Sequence, residues 1–568
     1  MKNIPLIEVR KIDDLKQMLD TSTELYSNNT AFLVKKKGSD KYEPVTYKQY
    51  KKDVDALGTA FISLGLKDQR IAVIGEARYE WVVTYLATLN GTGIAVPIDK
   101  ELPGNEIESL LERSEASAVV FSAAKKEVIE KVVSHNKTVK YYIDMDIEED
   151  GENFLSFKKI LDKGYKLLEN GDRSFLDAKI DNEAMSILLF TSATTDKSKA
   201  VMLSHKNISE NLMAMCKMID IKTTDTFLSV LPIHHTYECT CGFLCPIYRG
   251  SAVAFCEGLR HIAKNLKESQ ASIMLGVPLI YEAMYKRVWD QVAKSGQDKK
   301  LKTAIKINNF LKNFGVDLSK KLFKKIHDNL GGNMRMFISG AAGIDPSVSS
   351  GFRDLGMLLI QGYGLTECSP IVALNRDVDY KDDATGLPLQ GLMVEINEPN
   401  EEGVGEVKVK GPSVMLGYYK DDEANAKVFK DGWFFTGDLG YIDADGFLHL
   451  TGRKKNVIVT KNGKNIYPEE IETLLNRSNY ILECMVYGKT KDNDDEINVT
   501  ASIFPDYEKI KEEFGEISKD ELKKLLQNEI KAVNKSLVTY KYVKDFSIRE
   551  EEFAKTTTRK IKRYMEEI

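Results

Sequence analysis

No stretch of this 568-residue chain reaches the ~18 uncharged apolar residues that a membrane span requires. Its most apolar region, Phe227 to Phe255, is interrupted by Glu238 and Arg249. Met1 to Glu8 has neither the apolar core nor the cleavage site of a secretory signal. The expectation is therefore a cytoplasmic protein, with peripheral contact to a membrane through a lipid-like substrate left open. A dominant charge is also missing: 80 basic against 85 acidic residues give a formal charge of −5. Nucleic acid finds no electrostatic footing there, and a polyphosphate would have to be held by a local positive site. Seven cysteines, odd in number and scattered, exclude a disulfide framework and suit a reducing compartment. Cys239, Cys241 and Cys245 cluster without a second ligand pair at zinc spacing, so small buried cysteines are expected there rather than a metal site. The common nucleotide-phosphate pattern Gly-x-x-x-x-Gly-Lys-Ser/Thr is absent. So are internal repeats and long low-complexity linkers, and any domain boundary must be a tight hinge.

The chain is long enough for at least two domains. A hydrophobic content of 43% and a charged content of 29% are ordinary for a globular protein. Through the first two-thirds, short apolar runs alternate with amphipathic stretches. Arg70 to Gly75, Gly93 to Ile98, Ala118 to Phe121, Ile273 to Val277 and Met334 to Ile338 read as buried strands, and Glu80 to Leu89 as a helix. This alternation predicts βαβ units and largely parallel sheets. From about Ala384 the texture changes to short alternating strands with glycine turns, as in Gly405 to Gly411 and Gly440 to Leu450, the latter with an Asp-Gly hairpin turn. The last hundred or so residues, with a charged helical segment from Lys519 to Val533 and a strand candidate at Cys484 to Tyr487, predict a small α/β domain. Gly452 to Asn456 is the best hinge candidate.

Five segments carry chemistry. In Ile187 to Val201, an apolar strand empties into Thr191, Ser192, Ala193, Thr194 and Thr195, with Lys197 and Lys199 behind them. Hydroxyls, backbone N–H groups and lysines at this density suit polyphosphate oxygens. Gln361-Gly-Tyr-Gly-Leu-Thr-Glu367 follows a second strand, Met357 to Ile360. Its glycines, Gly362 and Gly364, allow a flat ligand onto Tyr363, while Thr366 suits a phosphate oxygen and Glu367 suits Mg²⁺. Ser339-Gly-Ala-Ala-Gly343 offers small residues, Ala341 and Ala342, beside a planar base. Asp431 to Gly440 places Asp438 at a glycine turn, and a carboxylate there can accept from two hydroxyls. The chain closes on Ala554-Lys-Thr-Thr-Thr-Arg-Lys-Ile-Lys-Arg563. Each segment alone would pass for an ordinary turn, cap or solvated charge run.

Taken in order and spacing from about residue 30 to 563, these segments resemble the adenylate-forming superfamily of acyl-CoA synthetases, luciferases and peptide-synthetase adenylation domains. Within it the closest resemblance is to long-chain fatty acyl-CoA synthetases. The resemblance implies an α/β fold with a large N-terminal domain of parallel-rich sheets and a small β-barrel-like subdomain, residues 1–452. A small mobile C-terminal α/β domain, residues 453–568, follows. It implies that Ala341, Ala342 and Tyr363 wall the adenine pocket and that Asp438 and Arg453 hold the ribose. Glu367 would bind Mg²⁺, Lys560 would be the catalytic lysine, Lys455 the pivot between domains, and Gly463 part of a CoA tunnel. Pro468 and the acidic residues after it also suit an ordinary helix start.

Several positions depart from the family pattern Thr-Ser-Gly-Thr-Thr-Gly-x-Pro-Lys-Gly. Its glycines become Ala193, Asp196 and Ala200, and its proline becomes Ser198. The two alanines are expected to restrict the loop. Asp196 puts a carboxylate where pyrophosphate belongs: one such pair about 6 Å apart at an effective dielectric of about 20 costs roughly 3 kcal/mol. In the terminal motif, Ala554 replaces proline and Arg559 replaces glycine.

Leu231-Pro-Ile-His-His-Thr-Tyr-Glu238 resembles the acyl-site segment of fatty acyl-CoA synthetases, with His235 near the carboxylate and nucleotide. Amino-acid-activating relatives carry an Asp here for the substrate ammonium. None lies between Leu231 and Gly242, although Glu238 is close. The implied reaction takes a fatty acid, ATP and Mg²⁺ to acyl-AMP and pyrophosphate, and then CoA to acyl-CoA. Two other readings stand beside it: an enzyme that loads an acyl carrier protein, and a nucleotide- or acyl-binding homologue with weakened turnover.

Overall fold

The computed structural model describes residues 4–36, 38–191, 198–460, 464–491, 494–556 and 560–566. The described chain divides into two compact units. One holds the chain up to Met393 together with Lys410–Gly432; the other comprises Val394–Val409 and Trp433–Ile568.

Two large sheets build the first unit. In the eight-stranded sheet the order runs Gly417–Tyr418, Lys199–Ser204, Met185–Thr191, Ile94–Ile98, Arg70–Ile74, Ala118–Phe121, Tyr141–Asp144 and Leu155–Ser156. From Met185–Thr191 onward every pairing is parallel. The buried runs Ile71–Ile74 and Ala118–Phe121 face helices on both sides, which is why they are apolar without alternation. Helix Tyr79–Ala87 lies where the sequence predicts one.

The nine-stranded sheet has a parallel centre: Leu358–Gly364, Met336–Ser339, Ile273–Gly276, Thr226–Ser229, Ala252–Phe255 and Thr30–Lys35. Antiparallel strands flank it, Ile371–Leu374 with Leu387–Pro388 at one edge and Tyr42–Thr46 at the other. A core including Phe337, Phe352, Met274 and Tyr281 fills one face. Helix starts follow local chemistry: Ser204 and Asn207 form a capping box, and Asp345 caps the helix that opens with Pro346.

In the second unit, Gly405–Lys410, Trp433–Ile442 and Leu448–Arg453 pair antiparallel. The Asp-Gly turn forms as expected, with Asp443 accepting from the N–H groups of Asp445 and Phe447. Among the described residues this sheet is open, and the expected barrel-like closure is not among its ladders. The later part is a three-stranded sheet, Ile481–Lys491, Asp494–Pro505 and Asp545–Ile548. Helices Pro468–Leu475 and Lys519–Asn534 contribute Ile471, Leu475, Leu522 and Leu526 to its core. The parallel-rich larger body and the smaller α/β body agree with the sequence reading.

Candidate active site

Parallel strands deliver the first unit's site. Thr226–Ser229, Ile273–Gly276, Met336–Ser339 and Leu358–Gly364 are neighbours running the same way, so the segments leaving their carboxyl ends emerge along one sheet edge. Those segments are the three read from sequence: His234–His235, Gly340–Ala342 and Tyr363–Glu367. The Tyr237 hydroxyl ties the first to the second by donating to the Ile338 carbonyl at 2.9 Å. A Cβ on Gly340 would meet the Tyr237 ring at 2.8 Å, so the small residue there admits a tyrosine of the protein itself. Ala341 is half-buried with φ +73°, a left-handed conformation alanine seldom adopts, and Ala342 is exposed.

Tyr363 is buried and lies inside the strand Leu358–Gly364, which runs on through the motif expected to follow a strand ending at Ile360. The glycines have a further reason. A Cβ on Gly364 would lie 2.2 Å from the Pro370 carbonyl oxygen, and one on Gly362 2.9 Å from Leu374 Cδ1. They admit the returning strand Ile371–Leu374, which turns the chain back around Thr366 and Glu367. Both of those residues are half-buried.

Glu367 has a partner that sequence reading missed. The Tyr418 hydroxyl donates to its Oε1 at 2.9 Å, and Lys199 Nζ stands 4.6 Å from the centroid of the same tyrosine ring. The Met415 N–H donates to the Glu367 carbonyl at 2.8 Å. Burial and the neighbouring Glu367 carboxylate raise the Tyr418 hydroxyl pKa well above its usual range. Tyr418 therefore stays protonated and donates to Glu367 Oε1. No group of three or more His, Cys, Asp and Glu among the described residues could hold a metal by itself. A Mg²⁺ bound with a polyphosphate takes most of its ligands from phosphate oxygens and water, and Glu367 could supply one.

At the phosphate loop, Thr191 and Lys199 face each other across an antiparallel ladder. Ser192, Ala193, Thr194, Thr195, Asp196 and Lys197 lie outside the described residues, as does Gly463. Ser198, standing where the family has proline, is gripped by Arg113, which donates to its carbonyl at 2.6 Å and its hydroxyl at 3.0 Å. Ala200 corrects an expectation. It is a buried strand residue paired with Phe190 rather than part of the loop, and extended backbone suits alanine there.

The paired histidines differ. Burial, with the Lys100 charge adding to it, pushes His234 down to about 3, so its imidazole is neutral. Its 3.6 Å approach to Asp99 is then neither an ion pair nor a hydrogen bond. His235 is half-buried, its ring 4.2 Å from that of His234.

Glu238 is 1% exposed, with neither carboxyl oxygen in hydrogen-bond geometry to a described residue. Burial raises it to about 8; Ser229 and the Leu231 backbone are near enough to temper the shift but not to bond it. The consequence is testable. From its ordinary 4.5 up to about 8 the unfolded chain gives up this proton and the folded one keeps it. Folding stability should therefore decline as pH rises through that window, by at most about 1.4 kcal/mol per pH unit. Glu238→Gln should flatten the decline, raising the melting temperature at pH 8 more than at pH 5. Parallel melting curves against pH for the two proteins would reject the assignment.

In the second unit, Asp438 and Arg453 are cross-strand partners, with Arg453 Nε 2.7 Å from Asp438 Oδ1. Asp438 is buried and Arg453 partly exposed. Lys560 feels both charges. Desolvation lowers its ammonium to about 8, the Arg453 guanidinium adds to this, and Asp438 opposes it. The lysine keeps exposed surface, and water screens part of the effect. The terminal motif folds back on itself: Lys555 bridges Ile561, and the Thr556 N–H donates to the Lys560 carbonyl at 2.8 Å. Its last residue, Arg563, donates to the Val486 carbonyl at 2.9 Å and pairs with the half-buried Glu472, which fixes the motif to the unit's core. Lys455 lies in a short turn, Lys454–Asn456, and is lowered by desolvation and by Arg453 and Arg563.

The structure thus collects Thr191, Lys199, Ala341, Ala342, Tyr363, Glu367 and His235 in one unit and Asp438, Arg453, Lys455 and Lys560 in the other. Cys239, Cys241 and Cys245 are buried free thiols, as expected. No helix among the described residues is long and apolar enough to cross a membrane.

Residues 19–419 match the AMP-binding enzyme family, and the chain belongs to it. The coarse chemistry of these adenylate-forming ligases comes with that membership: ATP-dependent activation of an acid as an acyl-adenylate. Long-chain-fatty-acid–CoA ligase 1 of Cavia porcellus is 29% identical over 517 residues, 84% of this chain and 72% of that protein. A chloroplastic long-chain-fatty-acid–[acyl-carrier-protein] ligase of Arabidopsis thaliana is 26% identical over 558 residues, covering 86% and 76%. Among solved structures, the anthranilate–CoA ligase AuaEII in complex with anthranoyl-AMP superposes with a TM-score of 0.77 at 19% identity, covering 99% of this chain and 98% of that one. At that identity the likeness is one of fold.

Proposed function

We propose that this protein is an acid–thiol ligase that activates a medium- to long-chain fatty acid with ATP and transfers it to CoA. The observation that carries the acid class is the state of Glu238. The acyl-site segment holds no other carboxylate from Leu231 to Gly242, and this one is buried and neutral, so an ammonium-bearing substrate finds no counter-ion there. The relatives named as long-chain-fatty-acid ligases support the same choice.

In the first step a carboxylate oxygen of the acid attacks the α-phosphorus and the bond to the pyrophosphate oxygen breaks. Lys199 and the loop hydroxyls hold phosphate oxygens, and the Lys560 ammonium offsets negative charge as it develops. Asp438 and Arg453 hold the ribose, Ala341, Ala342 and Tyr363 the adenine. Glu367 would hold Mg²⁺, which when bound neutralises phosphate charge. In the second step the thiol sulfur gives up its proton to solvent and attacks the acyl carbon, and AMP leaves with the electron pair of the broken acyl–oxygen bond. Residues 453–568 turn about Lys455 between steps, withdrawing Lys560 and presenting Gly463 beside the incoming thiol. We place the reaction in the cytoplasm, on the strength of the seven free thiols.

The Arabidopsis thaliana relative supports a second acceptor, a carrier-protein thiol. Pyrophosphate release with a fatty acid and ATP alone, followed by thioester formation on adding either CoA or acyl carrier protein, tests the reading. We expect thioester with CoA. Pyrophosphate release with a benzoate or an amino acid but not with a fatty acid would overturn the acid class.

Asp196 gives a separate test. If its carboxylate repels pyrophosphate, Asp196→Gly should lower the Michaelis constant for MgATP or raise turnover, within a ceiling of roughly 3 kcal/mol that salt and Lys197 reduce. The gain should shrink as salt is added. An unchanged Michaelis constant and turnover at both low and high salt would mark Asp196 as neutral and remove the main support for weakened turnover.

A further inference from the structure

The 28 residues from Asp298 to Lys325 hold nine lysines against two aspartates, in a chain whose overall charge is negative. They include the helix Asp298–Lys312, which is apolar on two sides. Leu301, Ala304 and Ile305 pack against the core of the first unit. Ile307, Phe310 and Phe314 point the other way and are 53%, 63% and 69% exposed. The two phenylalanines are the most exposed large hydrophobic side chains among the described residues. Their rings lie edge to face at 5.2 Å.

Helical geometry puts charge beside this stripe. At 100° per residue, Lys299, Lys300 and Lys306 fall within about 75° of its centre, on both sides. All three are exposed and none has an ion-pair partner among the described residues. The ridge is held firmly from behind. Asn308 is fully buried, accepting from the Leu318 N–H at 2.8 Å and donating to the Ser319 hydroxyl at 2.8 Å, so the turn carrying Phe314 is braced against the body. The Phe314 N–H donates to the Leu311 carbonyl at 2.9 Å.

We propose that this ridge docks the protein on an anionic phospholipid surface, with Ile307, Phe310 and Phe314 entering the headgroup region and the flanking lysines meeting lipid phosphates. An exposed aromatic stripe bordered by unpaired lysines has the two halves of an interfacial anchor, apolar area and positive charge. The shape favours lipid over an acidic protein. The phenyl rings stand out on a convex helix, which a deformable bilayer accommodates, whereas a folded partner would need a matching groove. The docking belongs to the protein itself and does not depend on which acid is activated.

Sedimentation of the full-length protein with vesicles, without acid, ATP or CoA, tests this. Phosphatidylcholine vesicles containing roughly a third phosphatidylglycerol should bind the protein, pure phosphatidylcholine far less, and added salt should weaken the binding. Phe310→Ser with Phe314→Ser should lower partitioning at least about tenfold. Lys299→Ala, Lys300→Ala and Lys306→Ala should each lower it about fivefold. Melting temperatures should stay at the wild-type value, and Leu25→Ser, an exposed leucine on another helix, should bind like the wild type. Equal sedimentation of the wild type and the double phenylalanine variant would overturn the proposal. So would binding that ignores lipid charge, or binding that survives loss of the phenyl rings but is displaced by a soluble acidic carrier protein.

Discussion

Lys560→Ala should lower acyl-adenylate formation by about a hundred- to a thousandfold, the usual effect of removing one group that stabilises transition-state charge. Thioester formation from pre-made acyl-adenylate should be nearly unchanged, because the proposed cycle withdraws Lys560 before the thiol attacks. The depressed ammonium adds a second readout. A lysine held near 8 loses its charge as pH rises through that value, so the first half-reaction should fall on the alkaline side of about 8. Lys560→Arg keeps a charge at every working pH and should abolish that limb, even if geometry lowers its maximal rate. Single-turnover assays of each half-reaction against pH decide the matter. Equal loss in both halves for Lys560→Ala would remove the role assigned to this lysine.

The second large effect is expected at Glu367. Glu367→Gln removes the negative charge but keeps a carbonyl oxygen able to accept from the Tyr418 hydroxyl, so the local fold should persist. Adenylate formation should drop about a hundredfold or more, with a higher Mg²⁺ concentration needed for half-maximal rate. Tyr418→Phe is the control: it removes one hydrogen bond but keeps the ring beside Lys199. Its effect should be near fivefold, about 1 kcal/mol. Melting temperatures separate both from unfolding. A Mg²⁺ dependence unmoved by Glu367→Gln would exclude this carboxylate as a metal ligand.

Strands and helices were legible wherever the information is local. Arg70–Ile74, Ala118–Phe121 and Ile273–Gly276 show the continuous apolar run of a doubly covered parallel strand, and Pro468 with its acidic neighbours announced a helix start. The Asp-Gly turn before Leu448 could be read for the same reason, since its hydrogen bonds join residues two to four positions apart. Ala200 was misread because the loop's end depends on how far the ladder with Met185–Thr191 extends. A family pattern does not state that.

The sequence by itself determined the order of the motifs, the alternation that makes the larger unit parallel-rich, and the chemical type of each site residue. Tertiary structure decided who meets whom. Tyr418 reaches Glu367 across 51 positions and Arg113 reaches Ser198 across 85, because separate strands and helices bring them together. It also decided charge. Two adjacent histidines look equivalent as letters, yet one is buried and neutral and the other half-buried, and Glu238 stays an uncharged carboxylic acid until the pH nears 8. Burial and long-range pairing are properties of the packed chain, and the free energy of a charge depends on them more than on the residue that carries it.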